Sequence, residues 1–373
     1  MSTNGPAIFS FFSGSGFLDL GFENAGFEVV FVNEFHPPFM DAYKYSREKL
    51  GHVPPRFGYA MESIENIEHS FIKNSLKTLK EEGRTVGFIG GPPCPDFSIA
   101  GKNKGKDGEN GRLSKSYVDL IIEMMPDFFL FENVKGLYRT LKHREFFEQI
   151  KEELISKGYV IHERLINSIE YGAPQDRERI ILIGFRENSL PSNFIWSGQK
   201  YPNKEAFNYP WPTLDVFMEN SVSQCPTGIP EELTVQYWFN KNDVINHPNS
   251  KHIFNARAGL TRFLSVEEGD DSKKSYKRLH RWRYSPTAAY GNNEVHLHPY
   301  LPRRISVAEA LAIQSLPKEF ELPGYMTLSN LFKTVGNGVP YLASLGIAKS
   351  ILQHLQNHNI ASNKVFVKDK KTA

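Results

Sequence analysis

The sequence predicts an α/β protein built on a doubly wound, mostly parallel sheet, with a second, smaller domain inserted into it. Strand-like and helix-like patterns alternate over residues 1–190, as they do where helices cover a parallel sheet. Residues 191–302 contain all four tryptophans, many prolines and asparagines, and no long helical period. Helical regularity returns in RRISVAEALAIQSLP, where Ser306 and Glu309 form an S-x-x-E capping box. We therefore expect a main domain over 1–190, an insert over 191–302, and a return to the main domain, with a C-terminal tail, over 303–373.

The elements of the main domain follow from their own patterns. Short apolar runs predict strands, and longer amphipathic stretches predict helices. A glycine-containing turn after the first strand leads into a helix that ends near Gly26, and a later helix is expected over 145–157. The predicted strands cover 7–12, 27–33, 85–90, 127–132, 159–166 and 179–185.

Composition narrows the class of protein. The 373 residues are 40% hydrophobic and 23% charged, which is typical of a globular protein with a core. The net charge is +2, so a surface for a polyanion must come from local clusters of basic residues. Two cysteines cannot build a disulfide framework, and no apolar stretch approaches the length of a membrane span. We expect a cytoplasmic protein without a membrane segment or a bound metal.

The turn after the first strand predicts a ligand site. Gly14 and Gly16 have no side chains, so a ligand can approach the backbone closely. Glu34 ends the second strand, about where an acidic residue binds ribose hydroxyls in nucleoside-binding α/β folds. A dinucleotide site would want a third glycine at the position of Asp19. The pattern therefore favours an adenosyl cofactor without a pyrophosphate, and an ordinary tight turn is the alternative.

A cysteine and a carboxylate follow neighbouring strands. Cys94 stands between Pro93 and Pro95, just past the strand that ends at Gly90. Ligands bind at the carboxyl ends of strands in open α/β sheets, and the prolines fix a turn there. A reactive cysteine is therefore favoured over a small buried hydrophobe. Glu132 leaves an apolar strand at the corresponding end, where a carboxylate is costly to desolvate unless it is paired or used.

Two arginines open the last predicted strand. Arg177 and Arg179 stand at alternate positions, so both guanidinium groups point to one face of the strand. In that position they could bind a phosphate or the edge of a base. A pair of solvated surface arginines is the alternative.

Six segments together resemble the DNA (cytosine-5) methyltransferases. They occur in the order found in that family, from about Phe9 to Ala343, and only the insert lacks the resemblance. The segments are FSGSGF, GGPPCPDFS, FENV, QDRER, RRISVAEALAIQ and VGNGVP. The resemblance implies a Rossmann-like fold and S-adenosyl-L-methionine-dependent methylation of cytosine C5 in a specific double-stranded DNA sequence. It also implies base flipping and a target-recognition role for the insert.

The resemblance implies a role for each candidate residue. The thiolate of Cys94 would add to C6 of the base, Glu132 would contact N3, and Arg179 would contact O2 with support from Arg177. Ser10 stands where the family often has an acidic residue, and Pro95 follows the cysteine in place of the commoner glutamine. The cofactor-binding residues implied are Phe12, Ser13, Gly14, Ser15, Gly16, Glu34, Ser63, Ile64, Pro93, Asn337 and Val339.

Two basic stretches are expected to contact DNA. One follows the cysteine and offers Ser98, Lys102, Lys104, Lys106 and Arg112. The other lies in the insert and interleaves basic with aromatic residues. Its basic members are Lys273, Lys274, Lys277, Arg278, Arg281 and Arg283. Of these, Arg281 or Arg283 is the better candidate for reading a guanine edge. A merely solvated face is the alternative for both stretches.

Three functions remain open at this stage. The compact size favours a monomeric bacterial enzyme of a restriction–modification system, paired with an endonuclease of the same specificity. A transfer-RNA cytosine-5 methyltransferase of the same fold is one alternative. A catalytically inactive DNA-binding regulator is the other, and the presence of Cys94, Glu132 and both arginines speaks against it.

Overall fold

A seven-stranded sheet forms the centre of the main domain, with strand order β3-β2-β1-β4-β5-β7-β6. The computed structural model describes residues 5–93, 109–138, 141–187, 193–256, 259–288, 290 and 294–369. Strand β7 runs antiparallel to both of its neighbours, and the other strand pairs are parallel. The strands are β1 (Ala7–Phe11), β2 (Glu28–Asn33), β3 (Tyr59–Ala60), β4 (Val86–Gly90), β5 (Phe128–Val134), β6 (Tyr159–Asn167) and β7 (Glu178–Arg186). The predicted α/β fold is confirmed, although the two-residue strand β3 was too short to predict.

Helices cover both faces of this sheet, and further helices lie in the insert and in the part of the chain that follows it. They are α1 (Phe17–Ala25), α2 (Pro37–Lys49), α3 (His69–Glu81), α4 (Glu109–Met124), α5 (Leu141–Ser156), α6 (Val235–Lys241), α7 (Leu260–Leu264), α8 (Val307–Ile313), α9 (Leu328–Asn337) and α10 (Tyr341–Asp369). Alternation along β5 shows the two layers: Phe129 and Phe131 pack with α3, α4 and α5, whereas Phe128 and Leu130 pack with α1 and α10. Helix α10 includes part of the segment expected to be a tail. Among the described residues, no helix is long and apolar enough to cross a membrane.

Local sequence signals set the ends of two helices near the site. Helix α1 begins after Gly16 and ends at Gly26, which has a φ of 106° and donates its backbone N–H to the last turn of the helix. Helix α8 has the expected capping box. Ser306 Oγ accepts a hydrogen bond from the backbone N–H of Glu309, whose carboxylate accepts one from the N–H of Ser306.

The insert packs against the main domain without adding a strand to the sheet. Side chains of α6, including Trp238 and Phe239, share one apolar core with Phe17 and Phe39 of the main domain and with α8 and α9. The predicted boundary at residue 190 stays a prediction, because the chain just after it still contacts the main domain. The backbone N–H groups of residues 197 and 198 donate to Ser350 Oγ on α10, at 3.1 Å each.

Arg278 is an anchor of the insert rather than a surface residue. Its side chain is fully buried, and its guanidinium lies 3.8 Å from the ring of Phe217. Its N–H groups donate to the backbone carbonyls of Val266 at 2.8 Å and Leu301 at 3.1 Å, and to those of Phe263 and His298. The prediction that Arg278 contacts DNA is therefore wrong, because its donors are already used inside the protein.

Arg281 is also committed to the protein interior. The residue is 5% exposed, and its guanidinium forms two contacts with the Glu268 carboxylate, at 2.8 and 2.7 Å. The remaining nitrogen donates to the carbonyl of Ser221 at 2.6 Å. The prediction that Arg281 reads a base edge is contradicted by this burial. Arg283 forms a more exposed pair with Asp271, at 2.8 Å, and it remains a candidate for DNA contact.

We predict that Arg281→Ala destabilises the insert by about 3–5 kcal/mol, because it leaves the buried Glu268 carboxylate without its partner. The matched change Arg283→Ala should cost less than about 1 kcal/mol, since the Arg283 pair is partly exposed. Urea denaturation followed by tryptophan fluorescence measures both, because all four tryptophans lie in the predicted insert. Equal free energies of unfolding for the two variants would contradict the structural role of Arg281.

Candidate active site

A cleft of about 1790 Å³ opens at the carboxyl ends of the parallel strands. It is lined by the turns after β1, β2 and β4, by the end of β5, and by residues of the insert and of α9. Every predicted cofactor residue except Gly16 lines this cleft. Gly16 lies behind it: a Cβ atom there would come within 2.8 Å of the side chains of Tyr43 and Arg47. The cleft therefore brings together segments that are more than 300 residues apart in sequence.

Glu34 is held in the cleft by two backbone amides. Its Oε2 accepts a hydrogen bond from Gly14 N–H at 2.8 Å, and its Oε1 accepts one from His36 N–H at 2.8 Å. Burial raises the pKa of this carboxyl group, and the two amides oppose that rise. Each carboxylate oxygen has a further lone pair, so Glu34 can accept hydrogen bonds from a diol as well.

Phe35 is a cleft residue that the sequence prediction missed. Its side chain is 67% exposed, and it lies in the cleft wall together with Ser63 and Ile64. An exposed aromatic ring next to an apolar wall is suited to cover a planar ring system. The sequence did contain a signal for it. Phe35 is an aromatic residue directly after Glu34, beyond the end of the strand, where it is not expected to pack in the core.

A buried polar network supports the glycine turn from below. Asp19 accepts hydrogen bonds from Ser10 Oγ and from the hydroxyl of Tyr43, at 2.9 Å each. Arg47 donates to the carbonyl of Gly16 at 2.6 Å. Burial raises the pKa of Asp19 to about 6, while the nearby Arg47 charge lowers it. Asp19 thus supplies an acidic group under the turn. It accepts a hydrogen bond from Ser10, the residue that stands where the family often has an acid.

Glu132 and Arg179 form a buried ion pair in the same cleft. Arg179 Nε lies 2.9 Å from Glu132 Oε1, and both side chains are about nine-tenths buried. In the antiparallel register of β5 and β7, Arg179 lies opposite Val134, two residues beyond Glu132. The two side chains therefore lie on the same face of the sheet.

Arg177 joins three parts of the chain behind this pair. Its guanidinium donates to the carbonyls of Ala288 in the insert, at 2.8 Å, and of Gly336 at the end of α9, at 2.6 Å. Within the described part of the chain, neither Arg177 Nε nor the hydroxyl of Tyr290 has a hydrogen-bond partner. Both residues line the cleft, so buried donors remain for a bound molecule.

Burial of the pair favours the protonated form of the Glu132 carboxyl group. Burial raises the pKa of Glu132, and the charges of Arg179 and Arg177 oppose the rise. Burial lowers the pKa of Arg179, while Glu132 opposes that shift. A carboxyl group with a raised pKa next to a guanidinium is suited to share a proton with a ligand.

The backbone that leads to Cys94 lies directly beside Glu132. A Cβ atom on Gly91 would lie 2.7 Å from Glu132 Oε2. The carbonyl of Pro92 accepts a hydrogen bond from Asn133 Nδ2 at 3.1 Å, and the carbonyl of Pro93 accepts one from Ser114 Oγ at 2.8 Å. Cys94 itself lies outside the described residues, as do Ser98, Lys102, Lys104 and Lys106.

The remaining predicted DNA contacts differ in their surroundings. Arg112 lines the cleft but forms an ion pair with Glu65, at 2.8 Å. Lys274 pairs with Glu294 at 3.0 Å while its own side chain is 87% exposed. Lys273 is exposed and Lys277 is half-buried. The sequence thus located the basic stretch, and the structure separates its exposed lysines from its buried arginines.

The sheet with its glycine turn and its acid directly after β2 is the arrangement expected of a nucleoside-binding α/β fold. Comparison with known proteins identifies the family. Residues 7–353 match the model of the C-5 cytosine-specific DNA methylases, so the chain belongs to this family and is a methyltransferase of that class. This match confirms the resemblance on which the sequence interpretation depends.

Curated relatives and solved structures agree with that assignment. The chain is 63% identical over 358 residues to the Type II methyltransferase M.NmeDI of Neisseria meningitidis serogroup C, covering 94% of this chain and 84% of that protein. It is 30% identical over 361 residues to M.MthTI of Methanothermobacter thermautotrophicus, covering 94% and 98%. A crystal structure described as a DNA modification methyltransferase encoded within an Escherichia coli prophage has a TM-score of 0.67 at 23% identity, covering 94% and 99%. That of a mutant DNMT2 from Spodoptera frugiperda has a TM-score of 0.58 at 14% identity, covering 94% and 99%. The two structures support the fold.

We predict that Asp19→Asn makes the protein more stable than the wild type at pH 7.5, by up to about 2–3 kcal/mol. The ionised form of Asp19 is disfavoured in the folded protein, because burial raises its pKa from 3.8 to about 6. As the pH rises from about 4 to 6, the unfolded chain loses this proton first, so the wild type loses stability in that window. The advantage of the Asn variant should therefore shrink towards pH 5, as urea denaturation at the two pH values measures.

The control for this experiment is Asp19→Ala. It should be less stable than the wild type at both pH values, because the buried hydroxyl groups of Ser10 and Tyr43 lose their acceptor. An Asn variant that is as unstable as the Ala variant at pH 7.5 would show that Arg47 holds Asp19 ionised.

Proposed function

We propose that this protein uses S-adenosyl-L-methionine to methylate C5 of cytosine within a specific sequence of double-stranded DNA, through a covalent bond between Cys94 and C6 of a flipped base. The observation that carries the proposal is the buried Glu132–Arg179 pair, which lies in the same cleft as the cofactor turn and beside the backbone leading to Cys94. A cytosine ring that enters the cleft meets a carboxyl group, two guanidinium groups and the backbone of residues 91–93, which precedes Cys94 in sequence.

The described residues fit an adenosyl cofactor. Glu34 would accept hydrogen bonds from the ribose hydroxyls, Phe35 would cover the adenine, and the backbone of the glycine turn would lie against the methionine part. When bound, S-adenosyl-L-methionine supplies an electrophilic methyl group. Asn337 and Val339 line the same cleft, and we assign them to the methionine end.

The chemistry requires C5 of cytosine to become nucleophilic. The thiolate of Cys94 adds to C6, and the electron pair of the C5–C6 double bond becomes available at C5. Glu132 stabilises the ring by donating a proton or a hydrogen bond to N3, and Arg179 contacts O2. After C5 has taken the methyl group, a base removes its proton and the thiolate leaves C6. The C5–C6 double bond is thereby restored.

The target base must leave the helical stack to reach this site. A ring inside a duplex exposes only its edges, whereas attack at C6 requires access to its face. The cleft lies between the main domain and the insert, so we assign target recognition to the insert. The exposed Lys273 and Lys274 remain proposed phosphate contacts, together with Lys277 and Arg283.

A role in restriction–modification is supported by the relative from Neisseria meningitidis, a Type II methyltransferase that is 63% identical. We propose that this protein protects DNA from an endonuclease of the same specificity, acting as a monomer in a bacterial cytoplasm. The transfer-RNA alternative is tested by offering transfer RNA and duplex DNA as competing substrates.

We predict that Cys94→Ser abolishes methyl transfer but leaves cofactor binding intact, because a serine hydroxyl is poorly ionised near neutral pH. Glu132→Gln should lower kcat by about 10²–10⁴-fold, since the amide cannot give a proton to N3. The matched control is Cys225→Ser, which removes the other cysteine, half-buried in the insert and not part of the cleft wall. Tritium transfer from the labelled cofactor to duplex DNA measures all three, and substantial turnover by the Cys94 variant would overturn the nucleophile assignment.

We predict that Glu34→Ala weakens S-adenosyl-L-methionine binding by about 10–150-fold, because two ribose hydroxyls lose a charged acceptor worth about 1.5–3 kcal/mol. Affinity for duplex DNA should change much less, which serves as the internal control. Isothermal titration calorimetry measures the first quantity and fluorescence anisotropy the second. Unchanged cofactor affinity would exclude this contact.

A further inference from the structure

Tyr276 in the insert has a backbone conformation that a bulky residue rarely adopts. Its φ is 61°, in the left-handed region, where a large side chain crowds its own backbone. Such strained residues persist only where the surrounding structure determines them, and they cluster at functional sites. Tyr276 also lines the cleft. A residue with a strained backbone thus contributes to the cleft wall.

The backbone on the C-terminal side of Tyr276 is fixed by several contacts. The carbonyl of Lys277 accepts a hydrogen bond from Leu297 N–H at 2.8 Å, and the N–H of Arg278 donates to Asp270 O at 2.9 Å. The buried guanidinium of Arg278 adds its bonds to backbone carbonyls. The backbone of residues 277 and 278 is thus tied to two other segments directly after Tyr276.

The surroundings of the Tyr276 ring are suited to nucleic acid. The guanidinium of Arg262 lies 4.9 Å from the ring centroid, and that of Arg304 lies 5.7 Å from it. Phe263 supports the ring at a centroid distance of 5.6 Å. An aromatic ring beside cationic groups combines an apolar surface for a base edge with positive charge for phosphates. Arg304 also lines the cleft, which places positive charge next to the ring.

We propose that Tyr276 determines sequence specificity by packing its ring against a base edge in a groove of the bound duplex, as an apolar side chain packs against the methyl group of thymine, while the exposed Arg262 meets a flanking phosphate. This inference rests on the proposed function and names a reading residue for it. Of the basic and aromatic stretch 273–283, Tyr276 is a member that lines the cleft, whereas Arg278 and Arg281 are buried in the insert.

The test compares Tyr276→Gly with Tyr276→Phe in the full-length protein. Glycine accepts a positive φ without strain, so the Gly variant removes the ring without adding strain to the backbone. It should raise the KM for DNA by about ten- to hundredfold and broaden the set of methylated sequences, with unchanged cofactor affinity. Tyr276→Phe keeps the ring and should retain both KM and sequence preference. Lys204→Gly is the matched control, since Lys204 has a φ of 61° in the insert but is not part of the cleft wall.

Sequence preference is measured on a library of duplexes that carries cytosine in all short contexts, by bisulfite sequencing after methylation. An unchanged KM and an unchanged preference in Tyr276→Gly would overturn the inference. The inference would also be overturned if Tyr276→Gly lowered the cofactor affinity or the melting temperature together with the DNA affinity, because the ring would then be merely structural. Failure of the wild type to methylate any duplex would instead refute the proposed function, so the two failures are distinguishable.

Discussion

The reversal of β7 is the constraint on which the active site depends. In a parallel sheet all carboxyl ends meet at one edge, and the residues that open a strand lie at the opposite edge. Glu132 lies near the end of β5, whereas Arg179 opens β7. Because β7 runs antiparallel to β5, its beginning lies beside the end of β5, and the guanidinium comes to 2.9 Å from the carboxylate. A parallel β7 would separate the two groups by the length of the strand.

Burial raises the pKa of Glu132 and also makes the stability of the Glu132–Arg179 pair depend on the groups around it. Removing an ion pair from water is costly, and the attraction between the charges offsets that cost only with good geometry and further hydrogen bonds. Arg177 supplies a second positive charge, and its guanidinium is held by Ala288 and Gly336. The position of the insert and of α9 is thereby coupled to the electrostatics of Glu132. The proposed catalytic pair and the proposed target-recognition insert share this buried contact.

Sequence reasoning located most of the site because its signals are local. A glycine turn after an apolar strand, an acid just after the next strand and a carboxylate near the end of β5 each follow from a short pattern, and the structure brings them into one cleft. The direction of β7 leaves no such pattern, since an apolar run reads the same for either orientation. Burial of Arg278 and Arg281 was equally invisible, because their partners are backbone carbonyls and a carboxylate distant in sequence or in a loop. A high density of basic residues predicts an exposed surface, but this stretch contains both exposed lysines and buried arginines.

The insert shows why buried arginines are useful in a domain with little regular structure. A segment without a sheet has many backbone carbonyls with no ladder partner, and each of them needs a donor when it is buried. A guanidinium has five N–H donors in one plane, so a single side chain can satisfy several carbonyls at once. Arg278 does this for four carbonyls from two separate segments, 263–266 and 298–301. The insert can therefore be rigid while its loops remain irregular, and irregular loops held on a rigid frame can present a strained ring such as Tyr276 to the cleft.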